Sequence, residues 1–242
     1  IHLVIHPQFV VRRDVAGALQ EVLQVDDEAE LPEGAIVESW MHVEIDRETD
    51  PAALAEIEAR LQRVLRDVRE AVEDWPRMLS KAVASADELE AAPPVSVPVD
   101  EVAESVDLLR WLVGEHFTFL GYREYSLSED GTTLDPVPGT GLGIMRSDRP
   151  SKRAGMTLSP EVRSLAREPR VLVLTKANSR STVHRATYLD YVGVKTFDAD
   201  GNVVGERRFL GLFTSTAYTQ SVLTIPVLRR TVDQVLEQSG FR

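Results

Sequence analysis

Two runs rich in β-formers, Tyr188–Phe197 and Val203–Phe213, flank the segment Asp198-Ala-Asp-Gly-Asn202. An Asp/Gly/Asn cluster between two such runs closes a β-hairpin, so this part of the chain is committed to antiparallel sheet. The larger stretch Lys176–Tyr218 reads as three sheet-forming runs joined by turns, and it is dense in Arg, His, Tyr and Gly. A half-buried strand has no need of that polar content. Alternation places Tyr191, Gly193 and Lys195 on one face of the first hairpin strand, and Gly205, Arg207 and Phe209 on one face of the second. Glycines inside strands mark bulges or a close neighbour, so Gly193, Gly205 and Gly211 predict a bent sheet or a packed partner.

Elsewhere, Ile1–Ile5 and Phe9–Val11 read as short strands joined at His6-Pro7, and Ala35–Ile45 as a strand with one apolar and one mixed face. Asp50-Pro51 opens a helix whose Leu54, Ile57, Leu61, Val64, Val68 and Ala71 repeat at helical spacing and read as its core face. A second helix is expected to start near Asp74-Trp75-Pro76 and run to about Glu90. Ala91–Pro98 holds three prolines and is the predicted linker, with modules at 1–92 and 99–242 around the Pro-rich 93–98. Beyond it, Asp100 is expected to cap a helix ending near Gly114-Glu115-His116, followed by a strand over Phe117–Leu127 and an Asp130-Gly131 turn. A short helix starts at Ser159-Pro160, Val171–Thr175 is a buried strand, and Ile225-Pro226 opens a last helix. That helix has Leu228, Val232, Val235 and Leu236 inward and Gly240 as its stop. The fold class expected is α+β: two modules, each a mainly antiparallel sheet covered by helices.

Charge is uneven. Residues 1–100 hold nine basic and 22 acidic side chains, whereas the remainder is close to neutral; the whole carries −12. An acidic surface repels phosphate backbones, which argues against nucleic acid as a partner. Residues 146–185 hold ten basic and three acidic side chains, a segment suited to an anion or an acidic neighbour, or else a solvated face. No apolar run reaches the length of a membrane span. The absence of cysteine rules out disulfides and thiolate metal sites and is compatible with the cytoplasm. A chain starting Ile1-His2-Leu3 without Met, and stopping just past a helix at Phe241-Arg242, reads as a piece of a longer polypeptide.

Motifs for chemistry are incomplete. Gly139-Thr-Gly-Leu-Gly143 has its third glycine one residue too early for a dinucleotide fingerprint, and no Walker lysine follows it. None of His2, His6, His42, His116 and His184 forms a zinc-binding pair. Ser181, His184 and Asp190 supply the residue types of a triad, but in an extended strand Ser181 and His184 point to opposite faces. There remain Arg180, His184, Arg185, Tyr188, Lys195, Arg207 and Arg208. They are candidates either to converge on a carboxylate or phosphate effector, or to pair with carboxylates such as Asp190, Glu206 and Glu124 and contact another domain.

The phrases LLRWLVGEHFTFLGYREY, SRSTVHRATYLDYVGVKTFDADGNVVGERRFLGLFTSTAY and IPVLRRTVDQVLEQSGF resemble the large bacterial NAD-specific glutamate dehydrogenases over 100–241. ESWMHVEIDRETDP before a long helix resembles their N-terminal ACT-like region. The resemblance implies an ACT-like first module and a larger ACT/PAS-like second one. It implies a parent enzyme that oxidatively deaminates L-glutamate to 2-oxoglutarate and ammonia with NAD, built from long subunits in a homo-oligomer. Its catalytic and Rossmann domains lie downstream, so no catalytic, cofactor-binding or metal residue carries over to this chain. The implied role is a non-catalytic regulatory and assembly segment without a cofactor of its own. Its partners are the rest of the parent polypeptide and, as an effector, an amino acid or small anion; the alternative is a docking module that binds no ligand.

Overall fold

The computed structural model describes residues 1–24, 30–147 and 158–240. Part of the basic segment 146–185 and the terminal Phe241-Arg242 lie outside the described residues. The chain forms two compact units, Ile1–Ala59 and Arg60–Arg242.

In the first unit, β1 (Leu3–Ile5) pairs antiparallel with β5 (His42–Glu44). Strand β2 (Gln8–Arg13) is the centre of an antiparallel sheet, between β3 (Leu19–Leu23) and β4 (Ala35–Ser39). The register runs Gln8↔Ser39 on one side of His6-Pro7 and Ile5↔His42 on the other, so Ala35–Ile45 is one ladder interrupted opposite Pro7. Proline has no N–H to donate, and the interruption follows. Strand β3 carries no clear pattern in the sequence. A tight turn creates it: the Asp14 carboxylate accepts from the backbone N–H of Ala16 and Ala18, and Gly17 takes φ +84°. Val11 is fully buried opposite Val22 and Ile36. Arg13 clamps Glu38 with two hydrogen bonds of 2.5 and 2.8 Å, and Trp40 Nε1 donates to the same carboxylate. These bonds hold the Glu38 carboxyl down at about 2.

Helix α1 (Pro51–Ala91) is continuous through Pro76, where two helices are expected. Pro76 lies on the exposed side, and Ala71, Met78 and Ala82 pack against the sheet on either side of it, which carries the helix past the missing N–H. The core face is Ala71, Asp74, Met78, Ala82, Ser85, Ala86 and Leu89. Leu61 and Val68, read from spacing as core, are exposed. The Pro-rich stretch does not divide the units. Val97 is buried and Ser96 Oγ donates to the Gly201 carbonyl at 2.6 Å, so 93–98 belongs to the second unit.

Helix α2 (Val99–Trp111) starts from Pro98, with Asp100 inside the first turn and not at the cap. A wide turn at Leu112–His116 ends it, with Glu115 at φ +67°. Six strands follow: β6 (Phe117–Leu127), β7 (Leu134–Pro136), β8 (Leu142–Gly143), β9 (Leu172–Arg180), β10 (Tyr188–Phe197) and β11 (Val203–Phe213). Their order is β7-β6-β11-β10-β9, with β8 also on β6, and every pairing is antiparallel. Helix α3 (Pro160–Arg167) lies between β8 and β9, and its Ser159 cap accepts from Val162 N. One face of the sheet is sealed by α1 and α2 through Met78, Ala82, Leu109, Phe119, Val192 and Phe209. A short α4 (Ser215–Thr219) leads to α5 (Leu228–Ser239). No residue of α5 is buried, and Leu228, Val235 and Leu236, expected inward, face out. Gly240 stops the helix in the left-handed conformation, as the sequence predicts.

Candidate functional site

The hairpin register decides what the polar residues of β10 and β11 can do. Gly193 lies opposite Arg208, Lys195 opposite Glu206, and Val194 opposite Arg207. Consecutive residues point to opposite faces, so Arg207 and Arg208 cannot meet. Arg207 points to the helix-covered face, where it donates to Ser85 Oγ at 3.2 Å and pairs with Glu88 at 2.6 Å. It sits at the rim of a cavity of about 630 Å³ formed with Leu89, Pro93 and Phe197.

Arg208 points to the other face. Its guanidinium lies 4.0 Å from the Tyr125 ring and 4.9 Å from the Tyr191 ring, and donates to Glu206 at 3.2 Å and to Tyr191 Oη at 3.0 Å. Tyr191 in turn donates to Glu206. Burial, reinforced by the negative charge of Glu206, pushes the Tyr191 phenol up, so it stays a donor. Burial works to lower the Arg208 guanidinium, but Tyr191 and Glu206 beside it raise it on balance. Gly193 makes the cluster possible: a Cβ there would meet the Glu206 carboxyl and the Tyr191 ring at 2.9 Å. Beside the cluster is a cavity of about 460 Å³ lined by Met145, Thr175, Lys176, Asn178, Tyr191 and Arg208, among others. Lys176 Nζ lies 2.5 Å from the buried Asp190 carboxylate.

The remaining candidates go elsewhere. Lys195 is buried and donates to the carbonyls of Leu165 (2.5 Å) and Glu168 (2.8 Å), holding α3 to the sheet; its burial depresses the ammonium pKa. Arg180 lies over the Tyr188 ring at 5.3 Å, Arg185 donates to the Phe213 carbonyl at 2.7 Å, and His184 is exposed at φ +68°. The seven candidates are thus spread over both faces and one end of the sheet and do not converge on one ligand. The basic segment behaves alike. Arg146, Arg163, Arg167, Arg170 and Lys176 each bond within the fold. Ser181 to Thr187 is not strand at all, and the Ser181 hydroxyl donates to the Val183 carbonyl. Asp190 accepts from Phe213 N, so these three residues form no relay.

Sequence reasoning missed Asp74. Its carboxylate is 2% exposed and accepts from Gly143 N (2.9 Å), Arg146 Nε (2.8 Å) and Arg77 Nη1 (3.1 Å). The N–H that a phosphate cradle would offer at Gly143 is therefore taken by a carboxylate on α1. Burial works to raise the Asp74 pKa; the Arg146 and Gly143 hydrogen bonds outweigh it and hold the carboxyl below its usual range. Among the described residues no cluster of three His, Asp or Glu could hold a metal ion, and no helix is long and apolar enough to cross a membrane.

Comparison with known proteins gives this architecture a family. Residues 1–61 match the profile described as glutamate dehydrogenase, ACT1 domain. The chain is 39% identical over 245 aligned residues to an NAD-specific glutamate dehydrogenase of Halomonas elongata, covering 100% of this chain and 15% of that protein. It is 36% identical to the protein of the same description from Pseudomonas aeruginosa, over 96% of this chain and 14% of the relative. A third, from Mycobacterium tuberculosis, is 30% identical over 96% of this chain and 13% of its own length. The chain thus spans about one seventh of the curated relatives it matches. Its first module belongs to the glutamate dehydrogenase ACT1 domain family, and the chain as a whole is homologous to the N-terminal region of NAD-specific glutamate dehydrogenases.

Proposed function

We propose that this chain is a non-catalytic regulatory and assembly segment of a large cytoplasmic NAD-dependent glutamate dehydrogenase. The parent enzyme would convert L-glutamate and NAD to 2-oxoglutarate and ammonia, with NAD bound outside this segment. The observation that carries the reading is the alignment of nearly the whole chain with about one seventh of each relative, beginning with an ACT1 domain. As a regulatory segment it would take an amino acid or similar small carboxylate. The cavity beside Arg208 and Lys176 fits that class best, since it combines two cations with hydroxyl and amide groups and an apolar edge.

The second reading, an assembly module with no ligand, has its own support: Arg208 and Lys176 already hold Glu206 and Asp190. A melting assay separates the two. A ligand that binds only the folded chain must stabilise it. At ten times its dissociation constant an amino acid is expected to raise the midpoint by roughly 3–5 °C. A flat response to every common amino acid and dicarboxylate at millimolar concentration would leave the assembly reading, which predicts binding to the remainder of the enzyme. Turnover of glutamate and NAD by this chain alone would sink both.

A further inference from the structure

Within the second unit, Leu61, Leu65, Val68, Val72, Trp75 and Leu79 of α1 repeat at 4-3-4-3-4 spacing, the pattern of a helix that packs on another helix. At about 100° per residue, this stripe lies a quarter-turn round the helix from the face that Ala71, Asp74 and Met78 bury against the sheet. The first five side chains are exposed, from 38% at Val68 to 69% at Val72; Leu79, at the end, is partly covered by the core. Scattered apolar residues on a surface need no explanation, but a contiguous stripe in heptad register does.

We propose that a second copy of this chain covers the stripe, with the two α1 helices antiparallel about a two-fold axis near residue 70. The stripe is its own complement in that direction. Leu61 falls opposite Leu79 of the other copy, Leu65 opposite Trp75, and Val68 opposite Val72. Large side chains thus meet across the ends and two valines lie close to the axis. The charges alongside choose the same orientation. Arg66 and Arg69 flank the N-terminal half and Glu73 the C-terminal half, so an antiparallel pair sets Glu73 of each copy near Arg66 and Arg69 of the other. A parallel pair in register would oppose arginine with arginine and glutamate with glutamate. A two-fold contact of this kind closes on itself and leads to a dimer and not a filament. The helix from 61 to 79 is about 28 Å long, enough to contribute much of the roughly 800 Å² per partner of an ordinary specific interface.

This inference rests on the assembly part of the reading above. The chain is tested by sedimentation across micromolar to millimolar concentration, where a monomer–dimer equilibrium is expected. Val72→Glu and Leu65→Glu each place a carboxylate in the seam and are expected to weaken dimerisation at least 100-fold. Both positions are solvent-exposed in the single copy, so the thermal midpoint measured in dilute solution is expected to stay within a degree or two. Because the chain has no cysteine, orientation can be read by oxidation. A mixture of the Leu65→Cys and Trp75→Cys chains is expected to give the mixed disulfide in preference to either homodimer. A chain that stays monomeric throughout, a dimer indifferent to Val72→Glu, or a preference for the two homodimers would each overturn the proposal. The amino-acid melting response of the Val72→Glu monomer reads the regulatory part separately, so one can fail while the other stands.

Discussion

Asp74→Ala is expected to destabilise the second unit by roughly 3 kcal/mol, the range for removing one partner of a buried ion pair and stranding the other. Two consequences add. The Gly143 N–H loses its only acceptor from α1, and the Arg146 guanidinium loses the closer of its two carboxylates, keeping Glu73 at 2.9 Å. Because Asp74 ties the segment at 142–146 to α1, local opening there is expected to rise with the global loss, visible as faster amide exchange at Gly143 and Arg146. A pH series makes the assignment specific. The folded-state carboxyl is held below its usual value, so its contribution is fully present above about pH 4 and is lost as pH falls through the depressed value. The difference between wild type and Asp74→Asn, measured by urea unfolding, is therefore expected to be constant from pH 5 to 8 and to shrink below pH 4. A difference that instead persisted unchanged to pH 2 would show that packing and not charge holds Asp74 in place.

Asp74 also shows where sequence reading runs out. Its place three residues after Ala71 and four before Met78 is plain helical spacing, but the acceptor role depends on a loop about 70 residues away, which no local pattern encodes. By contrast, Tyr188–Phe197, Val203–Phe213, Phe117–Leu127 and the Ser159-Pro160 helix start are all found at the residues that local chemistry predicts. Each is decided by turn residues, caps or β-branched runs close at hand. The glycine reading holds in part: bulges fall at Thr196/Phe197, beside Gly205, and at Leu210/Gly211. The errors share a cause. Leu61, Val68, Leu228 and Val235 were assigned to the core because amphipathic spacing says that a helix has an apolar face, and not what lies against it. Arg207 and Arg208 were grouped by proximity, although alternation along a strand already separates them.

That separation shapes the second large effect. Glu206→Ala is expected to cost about 3 kcal/mol, since it leaves the Arg208 guanidinium between Tyr125 and Tyr191 with no carboxylate beside it. For a unit of this size that corresponds to a midpoint lowered by roughly 6–12 °C. The double variant Arg208→Met with Glu206→Leu removes both charges and keeps the volume, so most of that loss is expected to return. The two variants together also decide between the two readings of the site. If the pair is only a structural tie, the double variant melts near wild type and answers amino acids as wild type does, whether by a shift or by none. If the cavity takes a carboxylate ligand through Arg208, the double variant still folds but loses the ligand-induced shift, because no remaining group there offers a carboxylate two parallel N–H donors. Arg207→Met, on the opposite face and paired with Glu88, is expected to leave that shift unchanged. A shift lost equally in Arg207→Met and in the double variant would place the ligand elsewhere in the chain and remove this cavity from the argument.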